Sequence, residues 1–435
     1  MIKKLFLIFL ILIFSTNCSF DTKSGIWTNN EKIEKEITKK QIKILFKENE
    51  ANYKELNKNF VIKTPLNSKT DNYSSSKNNL GPRLIVDILK KKSKYKFSKI
   101  KYFNYFEPEL VFDKNNLIFF NKNGTIIKFN DTSQIIWKKN NYSKEEKRLL
   151  PVLNFSLNNN ILVVTDNLGK YYALNVETGK ILWTKSHKSI FISEIKIDKN
   201  KFYVIDNDNN FNCFSLLNGE KVWEFETDYD LIKSQKKLSI VFDQTNVYFN
   251  NSRGDIYSLN KDNGNLIWLT TTRTSDENLQ SFLLKTSGLV LDESRIIFSN
   301  NQNSFFSLNK DNGLIEWKHN INSDLKSVIS EGMIFSISLD GYLFVIEKIS
   351  GNIVRITDIF KGTKYRKKKN ISVSGFVVGH KKIYISLNNG KILEVDISSG
   401  KISSVLKVSN GKISEPFVNN GKMFIVKSNE IIRLN

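Results

Sequence analysis

The residue types that usually perform catalysis or bind metals are sparse and scattered in this chain. The three histidines, His187, His319 and His380, are too far apart in sequence to form a metal-ligating motif. Four aspartates stand in turn-like segments, where the carboxylate is expected to cap the turn: Asp166, Asp206, Asp262 and Asp311. The sequence contains no glycine-rich phosphate loop, nucleophile elbow or zinc motif. We therefore expect no catalytic residue, no metal site and no cofactor.

The two cysteines stand in different contexts. Cys213 lies in the apolar segment 211–217, where a buried and inert thiol is expected. Cys18 follows two lysines, an apolar run over residues 5–14 and three small or polar residues, which is the layout of a cleavable secretory signal. The apolar run is too short to cross a membrane as a helix. If Cys18 is modified, Cys213 has no intramolecular partner, and the exported protein is built without disulfides.

A cysteine directly after such a run resembles the lipidation site of bacterial lipoproteins. The resemblance implies that residues 1–17 are a signal peptide and that Cys18 carries several acyl chains, palmitate among them, which together anchor a protein stably. Ser19 follows the cysteine, and by resemblance to lipoprotein sorting in Gram-negative bacteria this implies the outer membrane, with the protein facing the periplasm. The alternative is an ordinary signal peptide with Cys18 left near the new N-terminus.

The formal net charge of +22 suggests nucleic acid or anionic lipid as partners. Lysines are spread along all 435 residues, together with many Asn and Ile, rather than gathered in one domain. Export also separates the protein from cellular nucleic acid. We therefore expect no nucleic-acid partner and attribute to the charge an attraction to lipid headgroups.

Residues 18–82 predict a polar N-terminal tether that is partly helical or disordered. Apolar residues recur with helical spacing within 31–60, but the stripe is thin. Residues 64–82 are rich in Asn, Ser and Lys and are typical of a linker. The folded domain is expected over residues 83–435.

A tryptophan repeatedly follows a glycine by four residues, at intervals of about 40 to 50 residues along the folded domain. The tryptophans are Trp137, Trp183, Trp223, Trp268 and Trp317, and the glycines are Gly179, Gly219, Gly264, Gly313, Gly351 and Gly400. Ser133 stands at the glycine position before Trp137, and the last two copies lack the tryptophan. Such a period indicates a repeat architecture.

One repeat contains four short β-rich runs, at 193–197, 201–205, 211–216 and 221–226, separated by Asn, Asp and Gly turns. A four-stranded sheet cannot bury both faces alone, so the sheets must stack. Radial stacking gives a β-propeller of four-stranded antiparallel blades. The recurrent tryptophan is expected to fill the space between adjacent blades and to need one acceptor for its N–H.

Seven glycine or serine positions define seven blades, and residues 413–434 supply three more strands. The missing fourth strand must come from the N-terminal side, either 84–89 or 95–100. The sequence thus predicts an all-β, eight-bladed propeller closed by an N-terminal strand. Seven blades, with the C-terminal tail packed as an extra edge, is the alternative.

These repeats, with their Ala/Ser-Leu-Asn lead-in, resemble those of the pyrroloquinoline-quinone (PQQ)-like propellers. Within that group, a lipoprotein with one eight-bladed propeller resembles the BamB family of the outer-membrane barrel-assembly machinery. The resemblance covers residues 84–435 and implies a non-catalytic scaffold, a monomer within a complex, that aids folding and insertion of outer-membrane proteins. It implies a BamA-like barrel-assembly subunit as a partner, with nascent outer-membrane proteins as further candidates.

Two other functions remain open from the sequence: a PQQ-dependent, quinoprotein-like enzyme and a propeller that binds cell-wall or polysaccharide material. The quinoproteins that share the repeat need a calcium site and, in several members, adjacent cysteines, which this chain lacks. The longest connections between blades are 270–280 and 360–372. The second is a candidate partner loop, through Lys364, Arg366, Lys367, Lys368 and Lys369, or else an ordinary solvated loop.

Overall fold

Short strands account for almost all regular structure in the part of the chain that the structure describes. A computed structural model describes residues 53–57, 59–62, 79–84, 91–228, 233–272, 284–362 and 370–435. These residues contain 32 strands in eight antiparallel sheets of four strands each. The sheets form a ring, which confirms the predicted propeller with eight blades rather than seven. Among the described residues, no helix is long and apolar enough to cross a membrane.

Each blade is built from consecutive strands, except the last, which takes its fourth strand from the N-terminal side. Blade 1 consists of β2 (Val111–Asp113), β3 (Asn116–Phe120), β4 (Ile126–Phe129) and β5 (Ile135–Lys139), and blade 2 of β6 (Leu153–Asn158), β7 (Ile161–Asp166), β8 (Lys170–Asn175) and β9 (Ile181–Ser186). Blade 3 consists of β10 (Lys196–Asp198), β11 (Lys201–Ile205), β12 (Phe211–Ser215) and β13 (Lys221–Phe225), and blade 4 of β14 (Ile240–Phe242), β15 (Asn246–Asn250), β16 (Ile256–Asn260) and β17 (Leu266–Thr270). Blade 5 consists of β18 (Val290–Leu291), β19 (Arg295–Asn300), β20 (Ser304–Asn309) and β21 (Ile315–His319), and blade 6 of β22 (Val328–Ser330), β23 (Met333–Ile337), β24 (Tyr342–Glu347) and β25 (Ile353–Asp358). Blade 7 consists of β26 (Val373–Val378), β27 (Lys382–Leu387), β28 (Lys391–Asp396) and β29 (Ile402–Lys407), and blade 8 of β30 (Pro416–Asn419), β31 (Lys422–Val426), β32 (Glu430–Leu434) and β1 (Lys91–Lys96).

Within a blade, burial falls from the middle strands to the outermost one. In blade 3, four of the five residues of β12 are buried, whereas β13 is exposed or half-buried throughout. Three strands of this blade match their predicted ranges to within one residue, whereas the first lies at 196–198 instead of the predicted 193–197. A single-turn helix, α1 (Lys144–Arg148), has a capping box at Ser143, and a 3-10 turn spans Phe103–Tyr105.

The ring closes where β1 pairs with the C-terminal strand β32. Tyr95 lies opposite Ile431, is fully buried and packs edge-on against Phe129 of blade 1. The closing strand therefore lies at 91–96, between the two predicted ranges and overlapping only the second. Four of its six residues are lysines, because an outermost strand keeps one face in water and charged side chains discourage pairing with other chains.

Each tryptophan lies against the glycine turn of the following blade. A Cβ atom at Gly219 would lie 2.7 Å from the Trp183 ring, and Gly219 has a φ of +73°. Only glycine combines that backbone conformation with so close an approach. The same contact recurs between five successive pairs of blades: Trp137 on Gly179, Trp183 on Gly219, Trp223 on Gly264, Trp268 on Gly313 and Trp317 on Gly351.

The contact continues where the tryptophan is missing. Arg355 stands four residues after Gly351, is buried, and lies against Gly400 of blade 7. Its guanidinium donates to the carbonyl of Ile397, at 2.7 Å. Between blades 8 and 1, Tyr95 approaches the Asp131 carbonyl in the turn that contains Ser133. Different side chains thus occupy one structural position around the ring.

The indole N–H of four of the five repeat tryptophans donates to a carbonyl of the same turn. Trp183 donates to the Leu216 carbonyl at 2.9 Å, and Trp137 donates to that of Val176 at 3.0 Å. Trp223 has no acceptor among the described residues. The equivalent carbonyl, that of Lys261, accepts instead from the Tyr203 hydroxyl at 3.3 Å.

Several lysines join neighbouring blades through ion pairs. Lys128 of blade 1 is buried and lies 2.7 Å from Asp113 and 3.3 Å from Glu177 of blade 2. In later blades, a lysine after the third strand reaches back to an aspartate in the first turn of the preceding blade. The pairs are Lys261 with Asp198 at 2.7 Å, Lys310 with Asp243 at 3.5 Å and Lys348 with Asp292 at 2.6 Å. Part of the positive charge therefore serves the contacts between blades.

Two short N-terminal segments pack on the propeller. Leu56 exchanges backbone hydrogen bonds with Ile356, both at 3.2 Å, so residues 53–57 extend blade 6 beyond its outermost strand, β25. Residues 79–84 lie along the innermost strands of blades 5 to 7. Their backbone hydrogen bonds reach Leu291, Ile329 and Val378.

We predict that Trp183→Phe lowers the free energy of unfolding by about 1–3 kcal/mol more than Trp223→Phe. Both changes remove a similar apolar area. Only the first leaves a buried carbonyl, that of Leu216, without its donor, since Tyr203 still donates to the Lys261 carbonyl. Equilibrium denaturant unfolding of the two variants measures the difference. Equal losses, or a larger loss for Trp223→Phe, would contradict the assignment.

Candidate functional site

A cavity of about 440 Å³ lies at one end of the central channel. We call it the axial cavity. It is lined by residues that precede or begin the innermost strands of most blades, among them Glu109, Glu194, Lys237, Lys326 and Glu415. Its size falls within the range of small-molecule sites in proteins.

The charged lining residues lie close together because all innermost strands start at the same end of the ring. Lys237 precedes β14, Lys326 precedes β22 and Glu415 precedes β30. Residues 79–84 bond to the innermost strands of blades 5 to 7, and Pro82 lines the cavity. This segment therefore contributes Pro82 to the wall of the axial cavity. Gly81 is required there, because a Cβ atom would lie 2.5 Å from the Ser327 carbonyl.

Charged and apolar side chains share the lining. Five lysines and five carboxylates contribute: Lys236, Lys237, Lys285, Lys326 and Lys412, with Glu107, Glu109, Glu194, Asp324 and Glu415. Lys237 lies 2.7 Å from Glu109 and 2.9 Å from the Asn154 side-chain oxygen. Lys236 lies 3.7 Å from both Glu107 and Asp324.

Burial and neighbouring charges shift the ionisation of the deeper groups. Burial, reinforced by Glu107, raises the pKa of Glu415 to about 7. Burial also acts to raise the pKa of Glu194, but Lys196, at 2.8 Å, together with Lys326 lowers it to about 2. Burial lowers the pKa of the Lys326 ammonium, against the attraction of Glu194 and Glu415.

Several residues singled out in the sequence lie away from this cavity. Asp166 accepts hydrogen bonds from the backbone of Leu168 and Lys170, at 2.8 and 2.9 Å, as a turn cap does. The turns that contain Asp262 and Asp311 are capped instead by the side chains of asparagines two residues earlier. Cys213 is fully buried, and burial raises the pKa of its thiol to about 12.

Two of the histidines, His187 and His319, contact backbone carbonyls. His187 approaches the Ser189 carbonyl at 3.0 Å, and His319 approaches that of Gly351 at 2.6 Å. Among the described residues, no group of three or more His, Cys, Asp and Glu side chains is arranged to hold a metal ion.

Two predicted features lie outside the described residues. One is Cys18 with its signal peptide, and the other is the basic segment Lys364, Arg366, Lys367, Lys368 and Lys369. The loop that contains the basic segment joins β25 to β26. Ser372, at its end, lines the axial cavity.

A second surface consists of aliphatic side chains on the outermost strands. More than two fifths of each of these side chains is exposed: Ile135, Ile136, Ile181, Leu182, Val222, Leu266, Ile267, Leu269, Ile315, Ile402 and Val405. We call them the outer band. In blade 6, where residues 53–57 cover the edge, the residues of β25 are buried or half-buried. The edge of a blade can therefore accept an extended segment.

The sequence pattern did not reveal the axial cavity. Its charged residues sit just before strands in different repeats and carry no shared motif. An available signal was the recurrence of Lys or Glu directly before the apolar start of an innermost strand, as at Glu109, Lys326 and Glu415. The outer band is easier to predict from the sequence, since aliphatic residues follow the repeat glycine by two or three positions.

We predict that Glu415→Gln removes part of the pH dependence of stability. The pKa of Glu415 is about 7 in the folded protein, above its ordinary value of 4.5, so the wild type loses stability as the pH rises from about 4.5 to about 7. At pH 8 the variant should be more stable by about 1–2 kcal/mol, after allowance for solvent screening, with a Tm about 2–4 °C higher.

Thermal unfolding between pH 5 and pH 8, at about one-unit intervals, measures this slope. Glu220→Gln is the matched control, because the Glu220 side chain is 63% exposed on the outside of the ring. It should keep the wild-type pH dependence. An unchanged slope in Glu415→Gln would refute the assignment of Glu415.

Comparison with known proteins places the fold and the family. BamB from Moraxella catarrhalis matches with a TM-score of 0.66 and 14% identity, over 80% of this chain and 100% of that chain. The quinohemoprotein alcohol dehydrogenase from Comamonas testosteroni matches with a TM-score of 0.60 and 10% identity, over 83% and 79%. The C-terminal WD40 domain of Sif2 matches with a TM-score of 0.58 and 14% identity, over 80% and 99%. At such identities these structures share the fold alone.

No curated protein sequence matches the chain. A family model for the outer membrane protein assembly factor BamB, however, matches residues 122–357, which is more than half of the chain. This match covers five of the tryptophan repeats that build the ring, including all the tryptophan-to-glycine contacts. The chain therefore belongs to the family of the outer membrane protein assembly factor BamB.

Proposed function

We propose that the protein is a non-catalytic scaffold that assists the folding and insertion of outer-membrane proteins. Membership of the BamB family carries this proposal. The scaffold acts through contacts with a BamA-like barrel-assembly subunit and with nascent outer-membrane proteins, as a monomer within the complex.

The outer band supplies a physical route for these contacts. Outermost strands expose one edge of unpaired backbone groups together with aliphatic side chains, which is what an added strand needs. The pairing of Leu56 with Ile356 supports this route, because it is an extended segment of the same chain added to a blade edge. Unfolded barrel strands present the same chemistry.

The proposal includes a lipid anchor at Cys18 in the outer membrane, with the propeller on the periplasmic side. The arrangement of two lysines, an apolar run and a cysteine supports this part. The basic segment at 364–369 is proposed as a contact for an acidic partner surface or for lipid headgroups. Ser372, which follows this segment in the sequence, lines the axial cavity.

A quinoprotein-like activity is the second candidate, because two PQQ-type dehydrogenases share the fold. The described residues do not fit such a site. They include no group of acidic, histidine or cysteine side chains suited to a metal ion, and the chain has no adjacent cysteines. The carboxylates of the axial cavity are mostly engaged by lysines. We derive no catalytic step through a quinone.

Site-specific photo-crosslinking in the native envelope tests the scaffold proposal. A photoreactive residue at Leu182 or Val222, both about half exposed in the outer band, should capture a barrel-assembly subunit or unfolded outer-membrane proteins. The captured proteins are identified by mass spectrometry. Absence of both classes would contradict the proposal.

The matched control places the same photoreactive residue at Leu149, which is 63% exposed beside α1 and outside the outer band. It should capture neither class above background. In a second arm, Lys367, Lys368 and Lys369 are changed to Glu. Unchanged capture and unchanged membrane retention would exclude the basic segment as a contact.

A further inference from the structure

We propose that the axial cavity binds a small dianion of the carboxylate or phosphate class and that Glu415 takes up a proton when the anion binds. The site is separate from the outer band. The proposal rests on the geometry of the channel and does not depend on the assembly role.

The shape of the cavity suits a small ligand rather than a polypeptide. It holds about 440 Å³, which is the size of a small-molecule site, and Pro82 forms part of its wall. A small ligand would lie against the residues that precede the innermost strands.

Three of the five lining lysines are left for a ligand. Lys285, Lys326 and Lys412 have no carboxylate within 4 Å among the described residues, whereas Lys236 and Lys237 do. Lys412 donates to the Asn104 carbonyl at 2.9 Å. Lys326 extends over Gly288, where a Cβ atom would lie 3.0 Å from its side chain. Carboxylates of the lining attract two of these lysines only from beyond 4 Å, Glu194 and Glu415 acting on Lys326 and Glu107 on Lys412, so a bound anion would be a closer partner.

A hydroxyl group adds a neutral donor to the site. Ser374 lines the cavity at the start of β26, and its hydroxyl oxygen is buried with no hydrogen-bond partner in the described part of the chain. A buried polar group without a partner is costly, so an acceptor oxygen from a ligand would satisfy it. Carboxylate and phosphate oxygens are such acceptors.

Glu415 sets the net charge of the lining. Five lysines and five carboxylates line the cavity, and Lys196 pairs with one of them, Glu194, so protonation of Glu415 adds one positive charge to an existing excess. Burial and Glu107 raise its pKa to about 7, with a smaller contribution from Glu194, while Lys236 and Lys326 act the other way. Its side chain also packs on Gly375 of β26, which offers no charge.

Anion binding and protonation of Glu415 favour each other. A bound anion repels the ionised carboxylate of Glu415 and so favours its protonated form. One required proton on a group with a pKa of about 7 weakens binding about tenfold between pH 6 and pH 8. Binding near pH 7 should therefore be accompanied by proton uptake.

Isothermal titration calorimetry on the full chain in detergent tests the proposal, with oxalate and sulfate as probes at constant ionic strength. Both dianions keep their charge between pH 6 and pH 8, so any pH dependence belongs to the protein. Buffers of different ionisation enthalpy count the protons taken up. The tighter of the two probes assigns the ligand to the carboxylate or the phosphate-like class. Binding of neither probe in the millimolar range would overturn the proposal.

Two variants locate the site. Glu415→Gln should bind at pH 8 as tightly as the wild type binds at pH 6, and Lys326→Met should bind about tenfold more weakly at pH 6. Lys401→Met, a change at an exposed lysine in a turn of blade 7, is the matched control and should bind as the wild type does. Thermal unfolding verifies that each variant is folded. Retained pH dependence in Glu415→Gln, or unchanged affinity in Lys326→Met, would also overturn the proposal.

Discussion

The pairing of β1 with β32 is the contact that turns a row of eight sheets into a ring. Residues 91–96 and 430–434 are more than 300 positions apart in sequence, so the entropy of bringing them together must be offset by what the closed ring buries. Tyr95 shows how this happens. It belongs to the closing strand, yet it packs against Phe129 of blade 1, and Arg433 beside it donates to the Asp131 carbonyl at 2.8 Å. Closure therefore stabilises the contact between the last and the first blade as well as blade 8 itself.

The contact between blades explains why the ring is rigid enough to hold both candidate surfaces. A large side chain of one blade lies on a turn of the next and donates to its carbonyl. This role is filled by tryptophan in most blades and by Arg355 between blades 6 and 7. Ion pairs such as Lys261 with Asp198 reinforce the same seam. Since every blade is held on two sides, the innermost strands keep their charged starts together around the axial cavity, and the outermost strands remain free at the surface.

The sequence was sufficient for the blade number because a glycine or serine turn marks seven repeats and residues 413–434 supply three strands of an eighth. It misplaced the closing strand, because Lys91 to Lys94 carry no apolar alternation and only Tyr95 signals burial. It also suggested that the positive charge serves attraction for lipid headgroups, whereas Lys128 and Lys348 form ion pairs between blades. The axial cavity escaped prediction because its residues meet only when the ring closes. Cys18 and the basic segment at 364–369 remain predictions from the sequence.

Hydrogen exchange on Ser93→Pro, with Ser93→Ala as its control, tests most directly whether closure by β1 supports the whole ring. Ser93 lies opposite Arg433, and proline removes a backbone donor from the strand while alanine keeps it. If closure supports the whole ring, proline speeds exchange in β32 and also in blades far from the β1–β32 contact, such as blade 4, whereas alanine leaves exchange unchanged. Faster exchange confined to β1 and β32, with blade 4 as protected as in the wild type, would contradict it.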